Sequence, residues 1–151
     1  MSWNADDKFR TALHEAGHAV VLSSFNIAVQ SVYLDPVKES GGTIPAEPLA
    51  IAQLDVDKHV AFALAGYLAE RLFKPPPLKQ KAGYDRLETI PVALRWHGIE
   101  DRRQQCMALK RGGNIARQRL RDRQIKVLRV AHQLFRHGHV DRAAFEAIMA
   151  K

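Results

Sequence analysis

Between residues 5 and 25 the apolar positions fall at Phe9, Leu13, Ala16 and Val20, with Ser24 closing the series, which is the three-and-four spacing of one buried helical stripe. Asp6 and Asp7 stand where a helix dipole favours negative charge, so the pattern predicts a first helix over 5–25. The periodicity then changes. "AVQSVYLDP", residues 28–36, mixes β-branched and aromatic residues and ends at Asp35-Pro36, which predicts a strand closed by a turn. "KESGGTIP", residues 38–45, supplies a Gly-Gly turn and a short run that returns as a neighbouring strand. "DVDKHVAFALAGYLAERLF", residues 55–73, sets Val60, Leu64, Tyr67, Leu68 and Leu72 on adjoining faces and predicts a second, well-buried helix. The prolines of "KPPPLKQKAGYD", residues 74–85, cannot continue it and predict an irregular surface connection.

A third helix is expected to start at Asp85 and to take in "RLETIPVALRW", with Pro91 near its first turns or kinking it. A charged helical stretch follows Gly98 as far as Arg111, and Gly112-Gly113 predicts a break. Residues 114–136 read as a long basic helix with Ala116, Leu120, Val127, Ala131 and Leu134 inward, and "DRAAFEAIM" after "HGHV" as a short capped final helix. The fold class these elements define is mainly α with a small β-sheet (α+β). At 151 residues the expectation is a single domain over 1–151, with a core over 1–98 and basic C-terminal helices over 99–151.

Composition narrows the class: 46% hydrophobic and 26% charged residues describe a globular chain, not a disordered or fibrous one. No apolar run approaches the roughly 20 residues a bilayer requires, so no membrane span is expected. The N-terminus "MSWNADDKFR" lacks the basic-then-apolar order of a signal peptide, and a cytoplasmic location is expected. Cys106 stands alone, without the spacing of a thiolate metal site, and reads as a small, partly buried residue. The net charge of +7 is uneven, −2 over residues 1–94 and +9 over 95–151. A basic half of this kind meets nucleic acid, an anionic surface or an acidic partner, or is simply a solvated helix face.

The chemistry lies in "HEAGHAVV", residues 14–21, in the middle of the first expected helix. Residues four apart on a helix share a face, so His14 and His18 aim their imidazoles at one point, and a tetrahedral zinc ion with bonds of about 2.0 to 2.1 Å fits between two such rings. Glu15, one position on, lies beside that point, where it would act as general base toward a water whose pKa the metal lowers. Gly17 costs a helix about 1 kcal/mol relative to Ala, and its missing side chain would let another segment approach closely. A third protein ligand is needed. Glu70, Asp85, Glu88, His59, His97, His132, His137 and His139 are all open to that role; Ser24 excludes the short downstream spacing of "HExxHxxGxxH" proteases.

With these residues in view, the chain resembles the zinc peptidase domain of the FtsH-type AAA+ membrane proteases. "HEAGHAVV" matches that family's motif, "VQSVYLDPVKESGGTIP" resembles the strand, turn and Gly-x-Thr strand that follow it, and "ALAGYLAERLF" is similar to its alanine- and glycine-rich second helix. "AGYDRLETIPVALRWHGI" resembles the segment whose Gly-x-x-Asp supplies the third ligand, here with His97 inserted after the tryptophan. The resemblance implies a zinc-dependent metalloendopeptidase with Zn2+ held by His14, His18 and Asp85 and with Glu15 as the catalytic base. Glu70 is the alternative third ligand, disfavoured because its helix must mostly pack, whereas a short carboxylate beside a loop is readily aimed.

The sequence also departs from that family, having neither a G-x-x-x-x-G-K-[ST] loop nor a membrane segment. The expectation is therefore a stand-alone peptidase acting on unfolded or flexible polypeptides, with substrate delivered by a separate ATPase or adaptor or already unfolded. Val29 to Leu34 or Gly42 to Ile44, as an edge strand, would pair with the peptide. Tyr84 and His97 lie in the part of the chain from which oxyanion stabilisation would come. Two other readings are a non-catalytic peptidase-fold module docking a partner through the basic helices, and nucleic-acid binding through residues 95–136, which rests on charge alone.

Overall fold

The structure is a computed structural model that describes residues 3–74 and 90–151. Helix α1, Ala5–Ser24, begins at Asn4, whose side chain accepts hydrogen bonds from the backbone N–H groups of Asp6 and Asp7. Strands β1, Val29–Asp35, and β2, Ser40–Pro45, follow, and then α2, Val56–Phe73, capped by Asp55. After α3, Ile90–Trp96, come α4, Arg102–Asp122, and α5, Gln124–His137. Strand β3, His139–Asp141, and helix α6, Arg142–Met149, complete a mainly α fold with one small sheet. None of the described helices is long and apolar enough to cross a membrane.

The expected inward faces are buried: Leu13, Ala16 and Val20 on α1, Ala116 and Leu120 on α4, and Val127, Ala131 and Leu134 on α5 have no solvent exposure. Helices α1 and α2 pack so closely at Gly17 that a methyl there would stand 2.6 Å from Ala69 Cβ and 2.7 Å from the Ala65 carbonyl oxygen. This is the close approach that a glycine in mid-helix foretold. Nearer the start of α1, Phe9 meets Phe135 of α5 edge-on, with ring centroids 5.8 Å apart.

The sheet is antiparallel in the order β2-β1-β3. Register slips between Val29 and Ser31, which oppose Pro45 and Ile44. Gln30 is thus an extra residue on β1, and this bulge lets Val29 and Val32, three apart, both face the core. β1 is central, with β3 paired to Ser31 through Tyr33 on the side away from β2, so of the two expected edge segments only Gly42 to Ile44 lies on an edge strand.

Several expectations change. Gly112-Gly113 does not break the chain: α4 runs through it and ends at Asp122, with the break at Arg123. A methyl on Gly112 would stand 2.6 Å from Val60 Cγ1, so this glycine serves helix contact between α2 and α4 instead of a turn. Cys106 is exposed, not partly buried. Trp96, a large aromatic expected in the core, is 64% exposed, and its indole N–H donates to the Ala52 carbonyl at 3.0 Å, a surface clasp. His139 belongs to a strand that the "HGHV" stretch did not reveal, entered through left-handed Gly138 at the end of α5. Of the connection expected over 74–85, only Lys74 is among the described residues. Its carbonyl accepts from Arg10 and its ammonium pairs with Asp6, both at 2.9 Å, which ties the end of α2 to the start of α1. The expected helix start at Asp85 lies outside the described residues.

Candidate metal centre

His14 and His18 leave α1 one turn apart and bring their Nε2 atoms to 3.1 Å, with ring planes inclined at 74°. Each ring is held at its other nitrogen. Nδ1 of His18 donates to the Phe62 carbonyl and Nδ1 of His14 to Glu70 Oε2, both at 2.8 Å. A carbonyl or carboxylate oxygen can only accept, so both rings carry a proton on Nδ1, and in the neutral form both present an Nε2 lone pair to the same place. Two nitrogens bound at about 2.0 to 2.1 Å to a tetrahedral ion stand about 3.4 Å apart. The observed spacing and the donor types therefore fit zinc, and the protons on Nδ1 complete the outer hydrogen bonds that orient metal-binding histidines.

The α2 side of the centre is one stripe, Phe62, Gly66 and Glu70, at intervals of four. Gly66 makes room for the imidazole: a methyl there would stand 2.5 Å from His14 Nε2. Glu70, 7% exposed, meets the nitrogen of His14 that points away from the shared Nε2 position, so it stands behind the ring.

Glu15 is 8% exposed and is gripped by β2. Thr43 Oγ1 lies 3.0 Å from Glu15 Oε2 and 3.1 Å from the Glu15 carbonyl oxygen, sharing its one proton between them. Gly41, two residues earlier on the same strand face, leaves the space the side chain crosses, since a methyl there would stand 2.8 Å from Glu15 Cγ. The short strand thus fixes the carboxylate next to the histidine pair.

Among the described residues no third His, Cys, Asp or Glu joins His14 and His18 in a metal-binding group. Asp85, Glu88 and Tyr84 lie outside the described residues. His59 and His97 are instead drawn to each other, Nδ1 to Nε2 at 3.2 Å. Burial, and then the neighbouring His97, hold the His59 pKa below its ordinary value. His132 stacks near Phe9, with centroids 5.1 Å apart, and His137 and His139 are exposed beside Gly138.

The sequence singles out His14, Glu15 and His18 but not the groups that hold them in place. Gly66 and Glu70 were legible in principle, as the glycine and the acid of an alanine-rich helix at a spacing of four. The Phe62 carbonyl carries no side-chain signature. Thr43 was quoted only within a Gly-x-Thr strand, and nothing in the sequence says that this strand crosses Glu15. Compared with known proteins, the chain matches no protein-family model and no curated protein.

Proposed function

We infer that the chain is a zinc metallopeptidase that hydrolyses peptide bonds of unfolded or flexible polypeptides. The observation that carries this reading is the paired Nε2 geometry, two imidazoles 3.1 Å apart whose Nδ1 atoms are both committed to acceptors. Two ordinary helix histidines need no such matched orientation.

His14 and His18 would hold the metal through Nε2, and Asp85, by the likeness of "AGYD" to the Gly-x-x-Asp segment, would be the third ligand. Zinc, when bound, supplies Lewis acidity toward water and the substrate carbonyl. Glu15 takes a proton from the attacking water and passes it to the departing amine. Thr43 holds that carboxylate in one rotamer, so the base needs no reorganisation before each transfer. Glu70 and the Phe62 carbonyl fix the rings, and Glu70 acts behind His14 as an orienting carboxylate. β2, the strand whose Thr43 holds Glu15, is an edge strand, and an extended substrate paired along it would bind through main-chain hydrogen bonds with little side-chain selection.

The test is metal content by mass spectrometry on the purified chain, followed by digestion of an unfolded casein substrate with and without a chelator. The expected result is about one zinc per chain, loss of zinc in Asp85→Ala, and chelator-sensitive cleavage that disappears in Glu15→Gln while zinc is retained. A wild-type chain without zinc, or cleavage indifferent to Glu15→Gln, overturns the reading.

A further inference from the structure

On the side of α2 away from the histidines lies a groove of about 690 Å³ between α2 and α4, within the size range of ligand sites. Its α2 wall is the stripe Leu64, Leu68 and Leu72, and its α4 wall is the stripe Leu109, Gly113, Arg117 and Arg121, each at intervals of four. At 100° per residue Leu64 and Leu68 stand about 160° around α2 from Gly66, so a ligand in the groove is separated from Glu15 by the helix itself.

The groove has an apolar floor and a rim of one sign. Leu64, Leu68 and Ile90 form its base, while Arg71, Lys110, Arg117 and Arg121 expose their charged ends around it. Among the described residues no carboxylate lines the groove or pairs with any of these four cations; Arg71 lies over the Tyr67 ring at 5.5 Å and Arg117 bonds only Asn114. Four like charges around one cleft repel, and an anionic ligand relieves that repulsion. The α4 stripe from Leu109 to Arg121 runs about 18 Å, at about 1.5 Å per residue.

We propose that this groove docks an acidic, leucine-bearing segment of a partner polypeptide, which is held there and not cut. Aliphatic side chains on the segment fill the leucine floor, and its carboxylates meet the rim. Nucleic acid is the poorer match, because single strands need aromatic platforms for their bases and this floor is aliphatic apart from Tyr67. Separation from Glu15 makes the bound segment a tether. The proposal stands on the groove alone and does not require the metal centre.

The experiment is fluorescence anisotropy of a labelled Glu/Leu peptide against the full chain, beside the same peptide with every Glu replaced by Gln and an oligothymidylate. Binding of the acidic peptide is expected to weaken on the order of tenfold or more in Lys110→Glu/Arg121→Glu, to fall with rising salt, and to be equal in wild type and Glu15→Gln. These exposed substitutions leave the core untouched, which far-ultraviolet circular dichroism checks. Equal affinity for the Gln peptide, tighter binding of the oligonucleotide through the same residues, or indifference to the charge reversal each overturns the proposal. A chain that lacks zinc but binds the acidic peptide refutes the peptidase and leaves the docking site standing.

Discussion

Glu70 of α2 accepts a 2.8 Å hydrogen bond from Nδ1 of His14 on α1, so the carboxylate that sequence alone left open as a metal ligand stands on the far side of the ring from Nε2. Its replacement therefore separates two roles. Glu70→Ala is expected to lower zinc affinity by about 10- to 100-fold, as for other outer partners of ligating histidines, while Glu70→Gln, whose amide oxygen still accepts from Nδ1, loses less. Competition with a chromophoric chelator measures both. Equal and complete loss in the two variants would mean that Glu70 binds the metal directly.

The grip of Thr43 on Glu15 is expected to appear in turnover and not in metal content. Thr43→Val keeps the shape and removes a hydrogen bond worth about 1 kcal/mol, so kcat on a casein substrate should drop on the order of fivefold with zinc unchanged. An undiminished kcat would show that β2 positions the carboxylate through Gly41 packing alone.

Two glycines are spaces that must stay open. Gly66→Ala places a methyl 2.5 Å from His14 Nε2, and Gly17→Ala places one 2.7 Å from the Ala65 carbonyl oxygen. Each is expected to destabilise by about 1 to 3 kcal/mol, measured by urea denaturation. Only Gly66→Ala strikes the imidazole itself, so it should lose zinc well beyond what Gly17→Ala loses. Comparable zinc affinity in both would place the site's tolerance elsewhere.

The pair formed by His59 and His97 gives the fold an acid sensitivity. Burial, and then His97, lower the folded-state pKa of His59 from 6.5, so below that value the unfolded chain binds the proton more readily than the native one. This contribution to stability is fully present above pH 6.5 and is lost as pH falls toward the folded pKa. Urea midpoints taken downward from neutral pH should decline, and the decline should be shallower in His59→Gln. An identical slope in that variant would assign the acid response to other groups.

The helices were legible in the sequence because their buried stripes repeat over many turns, and the histidine pair because a spacing of four is itself a geometric statement. What could not be read depended on which distant surface each glycine meets. Gly112-Gly113 has the composition of a turn, yet Gly112 lies against Val60 and the helix continues. Trp96 has the composition of a core residue, yet its N–H reaches the Ala52 carbonyl at the surface. The supports of the candidate centre, Thr43 and the Phe62 carbonyl, are fixed by tertiary approach between β2 or α2 and α1, which no local pattern encodes.

Strand β3 closes one side of β1 through the pairing of Val32 with Val140, while the other side of β1 carries the strand that holds Glu15. More than a hundred residues separate these partners, so the chain meets the entropy of a long loop before the sheet is complete. During folding the first helix, with both histidines, forms from local contacts, but the sheet beside it waits for β3 to return across that separation. The histidine pair is thus set early by structure within one helix, and the sheet beside it is completed late.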